Sequence, residues 1–219
     1  MMNKLTNLLL LLLIAIPMAG MAQLKLGIQG GYTQAWEYYG DVDLPDDAVI
    51  HINRYHVTGT VYWQISDRFS VGIEPGYVQR GAACVPGWMP IFDGDTKFFF
   101  HFASAPVMTN FTFPIFKDRL NLNLKAGYGA SFLVGAYREV IDFNSDEPPV
   151  RTTMPVQNSG FLRAWDHGAY GGASLEIPMG RVSLVSGVDY YHGMVDTDRF
   201  NTSKNRNVNI YGGLTFTTR

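Results

Sequence analysis

Residues 120–132 read Leu120-Asn-Leu-Asn-Leu-Lys-Ala-Gly-Tyr-Gly-Ala-Ser-Phe132. Every even position holds Leu, Ala, Tyr or Phe, and every odd position holds Asn, Lys, Gly or Ser. Successive side chains of a β-strand point to opposite faces, so this alternation predicts a strand with one apolar face and one polar face. The stretch is also long enough to cross a bilayer as a tilted strand.

The same alternation recurs along most of the chain that follows residue 22. Eight segments of alternating polarity are typical of a small β-barrel. The predicted strands start near Leu24 and continue at Tyr55–Gln64, Phe69–Arg80, Phe99–Phe113, Leu120–Phe132, Asp166–Ile177, Val182–Tyr191 and Asn207–Phe216.

The links between the predicted strands alternate in length. Short turns on one side of a membrane and long loops on the other are typical of transmembrane barrels. The sequence therefore predicts an all-β fold: an eight-stranded, antiparallel, up-and-down transmembrane β-barrel with both barrel ends of the chain on the turn side. The short links are 66–68, 114–119 and 178–181, and the long ones are about 35–53, 82–97, 138–160 and 193–206.

The chemistry of the two faces separates a membrane barrel from its rival, a soluble lipocalin-like carrier of small ligands. A soluble barrel needs charged residues outside, whereas the polar face here is mostly Gly, Ser, Thr and Asn, which suit a narrow lumen. The bulky face carries aromatic residues near the strand ends, as expected for two interfacial girdles around an apolar belt. The predicted interfacial aromatics are Tyr55, Trp63, Phe69, Tyr77, Phe111, Phe113 and Phe216.

Charged residues are scattered on the polar face of the predicted strands. A charge exposed to lipid is costly, whereas charges inside a narrow barrel can pair across it. We therefore predict a polar network that fills the lumen and excludes a wide pore. Its members are Glu74, Lys125, Asp166, Glu176 and Asp189, with Arg80 and His56 as further candidates.

Residues 1–22 predict a cleaved signal peptide, and residues 23–219 the barrel. Lys4 precedes an unbroken apolar run from Leu8 to Ile16, and the small residues Gly20 and Ala22 precede the predicted cut. Export and a barrel together predict the outer membrane of a Gram-negative bacterium. The expected partners are outer-membrane lipid, the barrel-assembly machinery during insertion, and a protein bound by the outer loops.

The composition excludes some classes of function. The formal net charge is −2, so no basic footprint for nucleic acid is present. Charged residues make up 16% of the chain, against about 25% in a typical soluble domain. Cys84 is the one cysteine, so an intrachain disulfide cannot form.

Several stretches resemble outer-membrane β-barrel proteins of the PorT-like type, which are common in the Bacteroidota. The resemblance implies the fold and the location, and it makes an accessory role in protein secretion one alternative function. The matching stretches are Gly72-Ile-Glu-Pro-Gly-Tyr-Val-Gln-Arg-Gly81, Phe102-Ala-Ser-Ala-Pro-Val-Met108, Lys125-Ala-Gly-Tyr-Gly-Ala130 and Asp166-His-Gly-Ala-Tyr-Gly-Gly-Ala-Ser-Leu-Glu176.

A barrel enzyme that modifies lipid or peptide is a further alternative, so acid–histidine pairs need inspection. Asp166 and His167 are adjacent and should point to opposite faces, and Asp189 and His192 have the same odd spacing. Ser131 and Ser174 are available as nucleophiles, but nothing in the sequence selects them. We expect no catalytic residue and no cofactor, and we expect the barrel to act through structure or through interactions of its loops.

Outer-loop residues offer other candidate sites. Acidic residues in the loops suggest a divalent cation, but the pattern of a calcium-binding loop is missing, so hydrated loops are the preferred interpretation. The apolar patch Trp88–Phe92, next to Cys84, is a candidate contact for a partner protein. The acidic loop residues are Asp41, Asp43, Asp46, Asp47, Asp196 and Asp198.

Overall fold

The alternating segments fold as antiparallel strands in a computed structural model that describes residues 23–39, 49–84, 95–116, 119–141, 148–154, 162–197 and 203–218. In these residues the strands belong to one sheet. They are β1 (Gln23–Tyr39), β2 (Val49–Ile50), β3 (Ile52–Gln64), β4 (Phe69–Ile73), β5 (Gly76–Cys84), β6 (Asp95–Ser104), β7 (Val107–Pro114), β8 (Asn121–Ile141), β9 (Val150–Thr153), β10 (Trp165–Met179), β11 (Val182–Asp196) and β12 (Ser203–Thr217).

Prolines interrupt two barrel strands of the described chain without opening the wall. β4 and β5 are separated at Pro75, and β6 and β7 at Pro106, because proline has no N–H to donate to the ladder. The proline carbonyls still accept: Gly59 N donates to Pro75 O over 2.8 Å, and Glu74 N donates to Pro106 O over 3.0 Å. We therefore count β4–β5 as one barrel strand and β6–β7 as another.

The sheet closes on itself. In order around the wall, each described barrel strand pairs with the next: β1, β3, β4–β5, β6–β7, β8, β10, β11 and β12. β12 then pairs with β1, from Lys25 opposite Thr217 to Tyr39 opposite Ser203. The predicted eight-stranded antiparallel barrel is confirmed.

Connections are short at one end of the barrel, which we call the turn end, and long at the other, the loop end. The turn between β10 and β11 contains Gly180, whose φ of 78° lies in the left-handed region that glycine tolerates. The predicted signal peptide lies outside the described residues and stays a prediction. Within the described part of the chain, no helix is long and apolar enough to cross a membrane.

At the loop end, the strands are longer than the sequence indicated. β8 continues to Ile141, where the sequence no longer alternates, and β9 pairs with its end. β1 likewise continues to Tyr39. The reason is that backbone pairing needs no alternation of polarity once the ribbon leaves the lipid. In the ladder between β6 and β8, His101 pairs with Gly135 and Phe102 with Leu133, so Val134 has no partner on β6, as in a β-bulge.

Apolar side chains face outward, as the sequence predicted. Ile73, Leu124 and Leu214 are 37%, 45% and 49% exposed, although they are large and apolar. Their neighbours in the chain, such as Glu74 and Lys125, are buried inside. This orientation is the reverse of what a soluble ligand-carrying barrel requires.

Candidate functional site: the polar lumen

A buried ion-pair cluster lies at the middle of the lumen. Lys125 from β8 places its Nζ 3.2 Å from Glu74 Oε1 and 2.9 Å from Asp189 Oδ2 on β11. All three side chains are less than 9% exposed. We call these residues the central cluster. They join three parts of the wall that are not adjacent in the sheet, which strand alternation alone could not reveal.

Tyrosines and a glutamine complete the hydrogen bonding of the central cluster. Tyr62 OH donates to Glu74 Oε1 over 2.5 Å, and Gln29 Nε2 donates to Glu74 Oε2 over 3.4 Å. Tyr211 OH donates to Asp189 Oδ1 over 3.4 Å, and its ring lies 4.7 Å from Lys125 Nζ. Buried charges are tolerated only when they are paired and hydrogen-bonded, and both conditions hold for these carboxylates.

A second polar layer lies nearer the loop end and is organised by Arg80, whose side chain is 1% exposed. Its guanidinium donates to Asp166 Oδ2 over 2.9 Å, to Asn207 Oδ1 over 3.1 Å and to Tyr170 OH over 3.1 Å. The guanidinium carbon also lies 3.8 Å from the ring centroid of Tyr191. The planar fork of arginine can make these bonds at once, so Arg80 ties β5 to β10 and β12 across the bore.

Nearer the turn end, Lys25 Nζ lies 2.5 Å from Glu176 Oε1, and Asn123 Nδ2 donates to Glu176 Oε2 over 3.1 Å. Glu176 is almost fully buried and has lost its contact with water, so its carboxylate needs the opposite charge that Lys25 supplies. The structure thus brings Glu74, Lys125, Asp166, Glu176 and Asp189, and also Arg80, into ion pairs, in separate layers rather than one network. The further candidate His56 is buried but forms no ion pair: its Nδ1 lies 3.0 Å from Thr33 Oγ1.

The open space in the lumen is uneven. A cavity of about 250 Å³ opens at the turn end and is lined by Lys25, Glu176, Asn110 and Thr112, among others. Beyond it, the lumen contains voids of about 30 Å³ beside Glu74. Such a void holds one or two water molecules but cannot pass a solute.

A cluster of buried apolar side chains lies at the loop end above Arg80. It was not predicted, because residues 98–102, Phe98-Phe-Phe-His-Phe102, form a continuous aromatic run with no alternation of polarity to mark a face. The only hint in the sequence was this irregularity. The buried members are Val78, Phe98, Phe100, Phe102, Leu133, Ala136 and Leu162. Large side chains therefore fill this end of the bore, in addition to the small ones that the sequence led us to expect.

The exterior carries aromatic side chains at both ends. At the turn end, Trp63, Phe111, Phe113 and Phe216 are 39–42% exposed, and Phe69 is half-buried. The rings of Phe111 and Phe113 lie 4.7 Å apart.

At the loop end, Tyr55 is 54% exposed and its ring lies 6.0 Å from that of the half-buried Tyr77. Along β3, Tyr55 and Trp63 are about 26 Å apart at 3.3 Å per residue, and a strand tilt of about 40° makes this about 20 Å across the membrane, somewhat less than the roughly 25 Å of an apolar belt.

A closed barrel with an exposed apolar belt between aromatic girdles and with its charges inside is built to span a bilayer as strands. Bacterial membranes with such barrels are outer membranes. The chain is an outer-membrane β-barrel. This assignment rests on the exposed apolar belt, the aromatic girdles and the buried charges of the barrel.

Sequence comparisons add no family: no protein-family model and no curated protein matches the barrel. Solved structures of similar shape include Neisserial surface protein A, with 10% identity, a TM-score of 0.48, and coverage of 87% of this chain and 96% of that one. AlkL, solved by solid-state NMR in lipid bilayers, has 13% identity, a TM-score of 0.47 and coverage of 90% of each chain. Ail of Yersinia pestis has 12% identity, a TM-score of 0.42 and coverage of 89% and 99%.

The acid–histidine pairs of the barrel are split between its two sides. Asp166 is buried in the lumen while His167 is exposed outside, and the same holds for Asp189 and His192. Ser131 is buried, and its Oγ has no hydrogen-bond partner within the described residues. The described part of the chain contains no group of three or more His, Cys, Asp or Glu that could hold a metal ion.

Other candidates from the sequence are only partly described. Of the acidic loop residues, Asp196 lies at the end of β11, with its Oδ2 4.0 Å from Arg163 Nη2. The acidic residues of the first loop, Asp198 and the patch Trp88–Phe92 lie outside the described residues. Cys84 ends β5, where its backbone pairs with Val49.

Proposed function

We propose that this outer-membrane barrel is a non-conducting platform: its lumen is a fixed polar plug, and its outer loops bind a partner protein. The observation that carries the proposal is the filled lumen of the described barrel. The central cluster and the Arg80 layer fill the bore with paired charges, and the apolar cluster around Phe98, Phe100 and Phe102 lies beyond them toward the loop end.

Ion pairs in series make a poor pathway for solutes. A passing ion would have to separate Lys125 from both of its carboxylates and Arg80 from Asp166, leaving buried charges unpaired. Breaking one buried pair costs about 3–5 kcal/mol, so conduction through both layers is strongly disfavoured. A platform needs no pore, and it leaves binding to the loop end.

Planar-bilayer recording tests the plug. The purified full-length barrel in KCl should show no stable conductance, whereas a variant that empties both layers and the mouth (Glu74→Ala, Lys125→Ala and Asp189→Ala together with Arg80→Ala and Phe102→Ala) should show discrete openings. Arg80→Ala with Phe102→Ala alone should stay silent, because the central cluster still fills the bore. Arg181→Ala, at the turn between β10 and β11, is the matched control and should stay silent. A large, stable conductance from the unaltered barrel would refute the platform proposal.

Cross-linking in intact cells tests the loop end as the interaction surface. A photo-crosslinking amino acid can replace Ile50 on β2 at the loop end, or Ile115 at the turn end. The two isoleucines are 43% and 45% exposed, so they are matched in accessibility. We expect a discrete protein adduct from position 50 and none from position 115. The absence of an adduct from position 50 would count against a loop-end partner.

We infer the finer assignment, a PorT-like barrel with an accessory role in secretion, only from the resemblance of the stretches around Gly72–Gly81 and Asp166–Glu176. The same cross-linking experiment distinguishes it. A secretion component in the adduct from position 50 would support the accessory role, and an unrelated surface protein would favour the general platform.

A further inference from the structure

The sheet has an edge strand at the loop end, β9 (Val150–Thr153). β9 pairs with the end of β8, from Tyr137 opposite Thr153 to Val140 opposite Val150, and with no other described strand. Its four side chains are exposed, and Val150 is 61% exposed although it is apolar. We call the side of β9 that faces away from β8 the free edge.

The free edge lies well outside the lipid. Glu139, which pairs with Arg151 of β9, follows Lys125 by fourteen residues, or about 46 Å along β8. With a strand tilt of about 40° this is about 35 Å above the level of Lys125, whereas the whole apolar belt is only about 25 Å tall. The free edge is therefore accessible to proteins at the cell surface rather than to lipid chains.

The hydrogen bonds to β8 determine which backbone groups point to the free edge. Met154 N donates to Ala136 O over 2.9 Å, so Met154 belongs to a hydrogen-bonded pair. Such pairs alternate along an antiparallel ladder, so Thr152 also donates to β8, whereas the N–H and C=O groups of Arg151 and Thr153 point away from it. The free edge thus presents two donors and two acceptors, with about 7 Å between the two residues.

The free edge lacks the usual protection of an edge strand. Proteins protect such edges with proline, with charges or with bulges. Residues 150–153 read Val-Arg-Thr-Thr, a segment with three β-branched residues and no proline that favours a strand. Its one charge is neutralised, because Arg151 Nε lies 2.8 Å from Glu139 Oε2. The free edge is therefore competent to pair with another strand.

We propose that the free edge of β9 accepts an extended segment of the partner protein as an added strand. The main chain of the segment exchanges hydrogen bonds with Arg151 and Thr153, and one of its apolar side chains covers Val150. Only an extended polypeptide offers N–H and C=O groups at this spacing, so the recognition mode is strand addition. The inference rests on the proposed function, because it names the surface through which the loop end binds protein.

Amide hydrogen exchange, followed by NMR on the full barrel refolded in micelles, tests the free edge. The probe is a synthetic peptide of residues 136–141, Ala-Tyr-Arg-Glu-Val-Ile, the segment that β9 already accepts on its other side. Without the peptide, we expect fast exchange at Arg151 and Thr153 and slower exchange at Thr152. At about four times the Kd of the peptide, exchange at Arg151 and Thr153 should slow about fivefold, because only the unbound fraction exchanges.

Two substitutions at one position are the matched controls. Thr153→Pro removes an outward N–H but keeps the ladder to β8, so it should abolish the slowing at Arg151, whereas Thr153→Ala keeps the N–H and should preserve it. Unchanged exchange on adding the peptide, or equal slowing in the proline variant, would overturn the proposal. Protection of Arg151 and Thr153 in the barrel alone would also overturn it: another segment of the chain then occupies the edge, or a second copy if protection rises with protein concentration.

The cross-linking experiment separates this inference from the platform proposal. If position 50 gives its protein adduct while the amides of Arg151 and Thr153 stay unprotected by the peptide, the platform stands and the free edge is not its contact. In intact cells, a photo-crosslinking residue at position 150 should give an adduct that Thr153→Pro reduces and Thr153→Ala keeps. Equal adduct from the two variants would show that the backbone of the edge is not what the partner recognises.

Discussion

Lys125 Nζ lies 2.9 Å from Asp189 Oδ2, which joins β8 to β11 across the lumen although β10 stands between them in the wall. The same Nζ is shared with Glu74, between β4 and β5. A side chain from one strand therefore holds together three parts of the barrel. The predictions below follow from this arrangement and from the outer surface that surrounds it.

Loss of the central amine should destabilise the barrel strongly. Lys125→Met leaves Glu74 and Asp189 buried without a cation, and we expect the free energy of unfolding to fall by about 3–5 kcal/mol. Urea unfolding in lipid vesicles, followed by tryptophan fluorescence, measures the change. A midpoint equal to that of the unaltered barrel would contradict the assigned role.

Two controls accompany the loss of Lys125. Adding Glu74→Gln and Asp189→Asn to the Lys125→Met variant removes the unpaired charges and should recover part of the stability. Arg151→Met breaks the ion pair with Glu139; because the Arg151 side chain is 71% exposed, the pair should contribute no more than about 1 kcal/mol, and the unfolding midpoint should change far less than with Lys125→Met.

Arg80 should not be replaceable by lysine. A single ammonium cannot reproduce the planar fork that donates to Asp166, Asn207 and Tyr170, so Arg80→Lys should cost about 1–3 kcal/mol in the free energy of unfolding. Arg181→Lys serves as the control on the turn. If both variants unfold at the same urea concentration, the fork geometry of Arg80 is unimportant.

A charge on the outer face should be penalised according to depth. Leu124→Arg places a guanidinium in the middle of the apolar belt and should cost about 2–4 kcal/mol, whereas Phe216→Arg near the turn end should cost about 0–1 kcal/mol. The two side chains are 45% and 42% exposed, so exposure alone predicts equal effects. Refolding yield into vesicles and urea titration compare them. Equal costs would argue against a bilayer around the belt.

Backbone conformation, rather than space, should decide the effect of adding a methyl group at two glycines. A Cβ at Gly180 or at Gly171 meets no atom within 4 Å, but only Gly180 has a positive φ, of 78°. Gly180→Ala should cost about 1–2 kcal/mol, and Gly171→Ala should be neutral or slightly stabilising. Paired urea titrations check the difference, and a larger loss for Gly171→Ala would reverse the interpretation.

Strand alternation and the lengths of the links were enough to predict the barrel, its strand number and the direction of its apolar face. These features are local, because the alternation of apolar and polar residues within each strand predicts which of its faces contacts lipid. The lumen side of Lys125 was predictable for the same reason. Its two partners were not, since they depend on the tilt and register of strands that are distant in sequence.

The loop end was less predictable because its residues extend beyond the lipid, where strands need not alternate between apolar and polar residues. Phe98, Phe100 and Phe102 fill the mouth, but the uninterrupted aromatic run gives no period from which to read their direction. Arg80 lies in a stretch whose alternation is broken by Pro75, so its place at the centre of a polar layer required the fold.

The pairing of β1 with β12 has a consequence for biogenesis. The seam from Lys25–Thr217 to Tyr39–Ser203 is formed by the first and last strands of the sheet, so the edge of β1 has no mate until residues 203–217 have arrived. Until β12 pairs with it, the unpaired backbone N–H and C=O groups of that edge can pair with strands of other polypeptides. A chain truncated before residue 203 would therefore keep an unpaired β1 edge, and we expect it to aggregate more readily than the full barrel.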